Sequence, residues 1–298
     1  MIPNRFLIAA GILAVSLVAA GTGRAIELID PAALGFGRPG IILDSTYQSQ
    51  LDFDGRSGGL DSVEGRLRVP FARWNLDDLR LGASLAYEWR HMDLGGLGGI
   101  GSGHYHALEA QLSGFYETED SPWWGLAFAT PGVATDFESV GSDAFEMSAL
   151  ALGGYRLNER WNFALGVFGN LSLRDWTVLP AVGVLWRPNE EWIVQATPPI
   201  VAVGWMPTKE WTISLVTYPA GNGWEVGHDD DEVRQVDLSL WRAALSVERR
   251  MGEHWRVSAR AGVAFGGELE LRDTNERVLT STDLDPAPFA ALALKWAF

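Results

Sequence analysis

Charged side chains recur at every second position in several stretches of the sequence. Successive side chains of a β-strand point to opposite faces, so such a row lies on one face of a strand and faces water or a polar interior. The sequence contains charges of both signs at these positions. The residues on such rows are Glu64, Arg66, Arg68, Arg80, Glu88, Arg90, Glu109, Gln111, Glu146, Arg256, Arg260 and Lys295.

Charges of both signs inside a closed sheet have two uses. They can line a water-filled pore and set its ion preference, as rings of charged side chains do in channels. They can also pair across strands and fill a narrow interior, because buried charges need partners. We predict the pore, with a basic stripe on adjacent strands, since a barrel of more than about eight strands is too wide for side chains to fill. The stripe comprises Arg66, Arg68, Arg80 and Arg90.

Two groups of residues have side chains of the types that bind metal ions in other proteins. His104 and His106 would share one face of a strand, with His91 across a hairpin, and imidazole suits transition metals. The acidic run at residues 228–232 offers carboxylates to a divalent cation but lacks the alternating ligands and glycine of an EF-hand loop. We interpret the first group as surface histidines and the second as a solvated loop. No metal and no cofactor is therefore predicted.

Two types of protein chemistry, dinucleotide binding and serine hydrolysis, are not supported, because the sequence lacks the context that each of them needs. Residues 96–101 match the glycine fingerprint of dinucleotide-binding folds, but no helix and no crossover to a parallel strand follow. A hydrolase would need a serine held against a base and an orienting acid, and no local motif marks an activated serine. The sequence predicts no catalytic residue.

The alternating pattern extends through most of the chain. Its strands are about ten residues or longer, the length that crosses a bilayer when tilted. Short turns alternate with longer loops. The turns fall near residues 75–78, 118–121, 157–159, 188–190, 207–210 and 251–253, and the loops near 54–59, 92–103, 131–141, 219–232 and 272–283, with shorter ones near Arg174 and Pro198.

This alternation predicts an all-β fold, a transmembrane antiparallel up-and-down barrel. The count is about 14 strands, an even number that leaves both termini on one side. Twelve strands is the alternative, because the strands beside Pro198 and Pro199 are short. No linker divides residues 26–298, so one domain is expected.

Tryptophans cluster at the predicted short turns, where an aromatic girdle at a membrane interface would lie. Beyond the first twenty positions, the sequence has no apolar run of the ~20 residues that a membrane helix needs. The tryptophans near the turns are Trp74, Trp123, Trp124, Trp161, Trp186, Trp192, Trp205, Trp211 and Trp255.

The first 25 residues have the features of a cleaved signal peptide. Arg5 precedes an apolar stretch, and Gly23 and Ala25 are small residues suited to the cleavage site. The alternative is a retained anchor helix.

Without Arg5 and Arg24, the chain has 21 basic and 38 acidic residues, so the formal net charge falls from −15 to −17 and nucleic acid is not an expected partner. There is no cysteine, so export occurs without disulfides.

The last strand alternates apolar and small residues and ends on an aromatic, with Leu292, Leu294, Trp296 and Phe298 on one face. This resembles the closing strand of outer-membrane β-barrels of Gram-negative-type bacteria. The resemblance implies location in the cell outer membrane, contact with its lipid, and an insertion signal at Trp296 and Phe298 read by the insertion machinery. The hairpins at residues 155–161 and 186–192 look like those of an uncharacterised family of such barrels. That likeness implies a barrel and no activity.

We predict from these features a pore or transport barrel for small solutes, with a polar, mixed-charge lumen. One alternative is a structural or adhesive barrel with a plugged lumen, whose long acidic loops bind a surface or divalent cations. The other is a lipid-modifying enzyme. The sequence predicts neither the solute nor the oligomeric state.

Overall fold

The computed structural model describes residues 39–97, 103–138, 140–172, 175–197, 200–227 and 233–298. The predicted signal peptide and the acidic run at residues 228–232 lie outside these residues, as do most of the glycine fingerprint, Arg174 and Pro198. The strands are β1 Gly40–Asp52, β2 Gly59–Leu76, β3 Leu79–Gly95, β4 Gly103–Glu117, β5 Trp123–Thr135, β6 Phe145–Arg156, β7 Trp161–Ser172, β8 Asp175–Trp186, β9 Trp192–Thr197, β10 Ile200–Trp205, β11 Trp211–Glu225, β12 Gln235–Met251, β13 Trp255–Arg272, β14 Val278–Leu284 and β15 Ala287–Ala297.

One 3₁₀ turn, Ser142–Ala144, precedes β6. In the part of the chain that the structure describes, no helix has the length and apolar character to cross a membrane.

The sheet closes on itself. Each strand pairs antiparallel with its neighbour in sequence, except that β15 lies between β13 and β1 and completes the ring. β14 pairs with the outer part of β13 from Gly267 onward, and β15 pairs with its inner part up to Ala264. β14 and β15 are thus two parts of one strand, and the barrel has the predicted 14 strands rather than 12.

All six predicted short turns join strands at one end of the barrel, which we call the turn end. At the opposite loop end, the strands continue into segments that were predicted as loops, namely to Gly95 in β3, Thr135 in β5 and Glu225 in β11, and through all of β14. The strands extend there because their inward side chains are apolar and pack together, which stabilises the paired strands.

Two of the tight turns share one device. The side-chain oxygen of Asn158 accepts hydrogen bonds from the backbone N–H groups of Arg160 and Trp161, at 2.9 and 3.0 Å. Asn189 does the same for Glu191 and Trp192, both at 3.0 Å. Asparagine favours such turns because its side chain replaces a backbone acceptor. The recurrent asparagine therefore fixes the first tryptophan of the strand that follows.

The outward face of the barrel is apolar, with Leu165 67% and Val178 66% exposed. At the turn end, tryptophans stack across neighbouring strands: Trp161 with Trp186 at 5.4 Å and Trp192 with Trp205 at 6.2 Å between ring centroids. Such aromatic bands mark membrane interfaces.

Trp124 is an exception to the predicted girdle. It points inward, where its Nε1–H donates to Asn162 at 2.8 Å, because its neighbour Trp123 occupies the outward position of the same strand.

Candidate functional site

Charged side chains of both signs meet in the middle of the barrel interior. Arg66 donates to Glu109 at 2.7 Å and to Glu88 at 3.4 Å. Arg90 lies 3.2 Å from Glu88 and 3.1 Å from Glu64. We call the residues of these contacts, with three more described below, the charge network: Asp44, Glu64, Arg66, Glu88, Arg90, Glu109, Arg242 and Arg260.

The charge network reaches across strands that are not neighbours. Arg242 of β12 donates to Glu64 of β2 at 2.5 Å, past the three strands that lie between them in the wall. Arg260 of β13 donates to Asp44 of β1, whose carboxylate also accepts from Thr46. All eight residues of the network are buried. The network therefore forms a layer of paired charges inside the barrel.

The alternation of signs corrects the predicted basic stripe. Arg66 and Arg90 do not form one run of positive charge, because Glu64 and Glu88 occupy the same inward rows and pair with them. Glu146, on β6, is half-buried beside Glu109: a Cβ on Gly132 would lie 3.1 Å from both side chains.

The other predicted interior residues lie nearer the turn end. Arg68, Gln111 and Lys295 line a cavity of about 590 Å³, together with Arg73 and Ser113. All five have polar or cationic side chains, and none of the thirteen residues lining this cavity is acidic.

Three ion pairs accompany this cavity at the turn end. Arg80 donates to Glu117 at 2.9 Å, and Arg156 binds the same carboxylate. Arg256 lies 3.7 Å from Glu248. These pairs are partly exposed, so each contributes little to stability. The charged interior thus continues from the middle of the barrel to the turn end.

The loop end of the interior is apolar and filled. A buried cluster, which we call the loop-end core, occupies the space between the outer parts of ten strands. It comprises Leu51, Phe53, Leu60, Met92, Leu94, Leu97, Tyr105, Ala107, Ala134, Ala220, Trp224, Val226, Val233, Val236, Leu238, Leu240, Ala264, Leu269, Leu271, Leu284 and Ala287.

One strand bends inward to complete this closure. Residues 218–224 of β11 are buried on both faces, and Glu225 pairs in parallel with Thr135 of β5, across the interior. We call residues 218–225 the inner segment. Gly221 within it has φ +110°, and a Cβ there would lie 2.0 Å from the carbonyl oxygen of Leu238, so the segment needs glycine at this position.

The inner segment is held by a few polar and aromatic contacts. The Glu225 carboxylate accepts hydrogen bonds from the N–H groups of Gly141 and Ala144, at 2.9 and 2.8 Å. The Trp224 ring packs on Tyr105 at 5.3 Å between centroids, and the Arg90 guanidinium lies 5.0 Å above it. Trp224 therefore joins the loop-end core to the charge network.

Several interior residues were not predicted from the sequence, and three of them are central to the site. Asp44 and Arg242 belong to the charge network, and Trp224 closes the loop end. Asp44 could have been found, because Asp44, Thr46 and Gln48 form a polar row opposite Leu43 and Tyr47. Arg242 gave a weaker signal, since small residues follow it on both faces of β12.

His91, His104 and His106 lie on the outside of β3 and β4 and not in the interior. The rings of His91 and His104 are 4.7 Å apart, while His106 stacks on Phe137 and shares a 2.8 Å hydrogen bond with the Tyr87 hydroxyl. Among the described residues, no group of three or more histidine and acidic side chains is arranged to hold a metal ion.

The predicted insertion signal lies on the closing strand and beside it. Trp296 of β15 is 40% exposed and packs on Trp255, and Phe298 is 51% exposed. The Phe298 N–H donates to the carbonyl of Pro39 at 2.9 Å, next to the start of β1. Both aromatic rings are thus available on the outer surface at the turn end.

Comparison with known structures shows the same kind of fold. An outer membrane channel from Pseudomonas putida F1 superposes with a TM-score of 0.51 and 13% identity, covering 93% of this chain and 100% of that chain. The toluene transporter TodX of Pseudomonas putida gives a TM-score of 0.47 and 12% identity, over 95% and 98% of the two chains. At these identities the likeness concerns the fold alone.

No curated protein matches the sequence. The model of a domain of unknown function, DUF6268, matches residues 115–297, from the end of β4 to the last residue of β15. This match covers more than half of the chain, and the chain therefore belongs to the DUF6268 family.

Proposed function

We propose that the protein is an outer-membrane channel for small solutes, closed at its loop end in the state described. The turn end faces the periplasm, and the solute path runs from the cavity beside Arg68 and Lys295 to the charge network. Outer-membrane lipid covers the apolar outward face, and the insertion machinery reads Trp296 and Phe298.

The observation that carries the proposal is the contrast between the two fillings of the interior. The loop-end core shows that this chain can fill its barrel with apolar side chains. The middle of the same barrel holds buried ion pairs instead. Replacing buried ion pairs by apolar residues is often neutral or stabilising, so stability alone does not explain the charges. A path for polar solutes does, because charged linings set selectivity.

The inner segment supplies a closure that can be released. Its contacts with the opposite wall include the two hydrogen bonds to the Glu225 carboxylate, the bridge to Thr135 and the packing of Trp224. The Glu225 carbonyl also accepts from the Asp136 N–H at 3.2 Å, and the Asn222 side chain is hydrogen-bonded to Glu146. Neutral hydrogen bonds contribute about 0.5–1.5 kcal/mol each and those to charged groups about 1.5–3 kcal/mol. Opening the loop end thus breaks few interactions compared with unfolding a wall strand.

Conductance in planar lipid bilayers tests the proposal. We expect wild-type protein to stay closed for most of the recording and the double variant Trp224→Ala/Glu225→Ala to give stable conductance steps. Trp241→Ala is the matched control, because Trp241 lies on the adjoining strand with outward parity, and it should behave like wild type. A folded double variant that stays silent while a known porin conducts would refute the proposal.

Selectivity distinguishes the proposed path from a leak around the barrel. In the Trp224→Ala/Glu225→Ala background, Glu64→Gln removes one negative charge from the charge network and should shift the reversal potential toward anions. Glu119→Gln, at an exposed position of the β4–β5 turn, should leave it unchanged. Equal reversal potentials in both variants would place the current outside the charge network.

A further inference from the structure

Among the described strands, the barrel wall is weakly joined along the edge of β8 that faces β9 and, beyond β9, faces β11; we call this edge the seam. β8 pairs with β9 through three residues only, Val184 to Trp186, whereas its other edge pairs with β7 from Trp186 to Asp175. The reason is the length of the β9–β10 hairpin, whose strands have six residues each. At about 3.3 Å per residue such strands are ~20 Å long, too short to cross a membrane at a tilt.

Beyond this hairpin, the facing edges of β8 and β11 have no described strand between them. β10 reaches only Thr217 of β11, and the inner segment then turns into the barrel. On β8, the outward side chains above the hairpin are apolar and exposed, Val178 66% and Val182 59%. The seam therefore lies at the depth of the membrane, where the rest of the wall is hydrogen-bonded strand.

Much of the interior behind the seam is apolar, in contrast to the charge network on the opposite wall, although Asn170, Gln195 and Thr197 are also buried there. Phe115, Leu126, Leu150, Leu152, Phe168 and Ala181 form a buried cluster on the inner face of β4 to β8. The barrel interior is thus divided into a charged side, on β1 to β4 and β12 to β15, and an apolar side next to the seam.

A small cavity lies on this apolar side, at the foot of the seam. Its inner lining includes Phe115, Trp124, Leu152 and Ala164. Gly183 of β8 and Thr197 of β9, which face each other across the seam, also line it, and a Cβ on Gly183 would lie 3.1 Å from the Thr197 hydroxyl. The Trp124 N–H is satisfied by Asn162 within the same lining. The cavity therefore presents mainly hydrocarbon and aromatic surface.

We propose that this cavity binds a small uncharged apolar molecule, which exchanges sideways with the membrane through the seam between β8 and β11. Its lining is mostly apolar, as the linings of small-molecule sites are. Lateral exchange needs few wall hydrogen bonds to break, because only three residue pairs join β8 to β9. The site goes beyond the proposed channel, since it does not require the loop end to open.

Labelling of single cysteines tests the proposal, and the chain has no cysteine of its own. Ala164→Cys places a thiol in the cavity. Ala244→Cys is the matched control: Ala244 is an inward, buried alanine on β12, paired on both edges with β11 and β13. Both variants are reconstituted in liposomes, checked for folding by heat-modifiable gel mobility, and treated with membrane-dissolved N-phenylmaleimide or a sulfonated, membrane-impermeant maleimide.

We expect N-phenylmaleimide to label Ala164→Cys about tenfold faster than Ala244→Cys, because reaction at Ala244 needs local unfolding that costs at least about 1.4 kcal/mol. The sulfonated reagent should label neither. A cavity-filling second variant, Ala164→Cys/Leu152→Trp, should lose the fast reaction, and excess naphthalene should slow it.

Equal rates at the two positions would overturn the binding site. Fast labelling of Ala164→Cys by the sulfonated reagent would overturn the lateral route, because that reagent arrives from water. Neither result depends on conductance, so the binding site and the proposed channel can fail separately.

Discussion

Glu64 of β2 and Arg242 of β12 are in contact, with 2.5 Å between Oε1 and Nη2, although β1, β15 and β13 separate their strands in the wall. The same carboxylate also lies 3.1 Å from Arg90. One buried carboxylate thus neutralises two arginines from distant parts of the chain. The contact ties the two halves of the charge network together inside the barrel.

Removing this carboxylate should destabilise the barrel. In Glu64→Gln the guanidinium groups of Arg90 and Arg242 stay buried without their shared partner, which costs about 3–5 kcal/mol for a broken buried pair. We expect unfolding at lower temperature or urea concentration, followed by heat-modifiable gel mobility or circular dichroism. Glu119→Gln should have no effect.

A paired substitution refines this prediction. Glu64→Gln/Arg242→Met removes both members of the pair and leaves fewer uncompensated charges, so it should be more stable than Glu64→Gln alone. The same stability for the two variants would mean that the cost does not come from the stranded Arg242.

The asparagines of the tight turns should contribute measurably to the free energy of unfolding. Asn189→Ala removes the acceptor of two backbone N–H groups, those of Glu191 and Trp192. We expect a loss of about 1 kcal/mol, typical of hydrogen bonds that terminate an element, measured by urea titration in detergent. Asn189→Asp keeps the acceptor and should retain most of the stability.

Phe298 should matter for insertion and not for the folded barrel. Its ring is half exposed, and its backbone N–H, which binds Pro39, is retained in Phe298→Ala. We expect less protein in the outer membrane of cells but unchanged stability of refolded protein. Leu292→Ala, at an outward position of β15 that is 64% exposed, is the control. Equal losses for both variants would point to lipid contact and not to a recognition signal.

The β13–β14 loop should lose order in acid. Hydrogen bonds from the backbone N–H groups of Arg277 and Asn275 to the Asp273 carboxylate lower its pKa below the ordinary value of 3.8. The folded pKa is the lower one, so the stabilisation is present above the ordinary value and is lost as pH falls through the folded value.

Amide hydrogen exchange of residues 273–277 measures this effect, after correction for the intrinsic pH dependence. Protection should fall below about pH 4 in wild type, where the unfolded carboxylate begins to take up protons. Asp273→Asn should show no such step. A step in both proteins would assign it to another group.

The sequence predicted the barrel well because its signals are local. Alternation along β3 identifies Glu88 and Arg90 as inward, and Asn158 and Asn189 mark two turns. The strand count followed from such turns.

The closure of the loop end was not predicted, because it depends on contacts between distant segments. Leu51, Met92 and Trp224 lie in or near segments that look like loops, and only their mutual packing makes them a core. The prediction of a basic stripe was wrong for a similar reason. The alternation shows which side chains face inward but not which charges pair across the interior.

The measurement that tests the account most directly is the conductance of a barrel whose inner segment can be locked. Thr135 and Glu225 are bridge partners, and such positions lie about 5 Å apart, within disulfide range. In Thr135→Cys/Glu225→Cys, the Glu225 carboxylate and its hydrogen bonds are lost, and a disulfide can replace them. We predict conductance steps under reducing conditions and closure on oxidation, reversibly in the same bilayer. Identical currents in the two redox states, with the disulfide shown to form, would contradict closure by the inner segment.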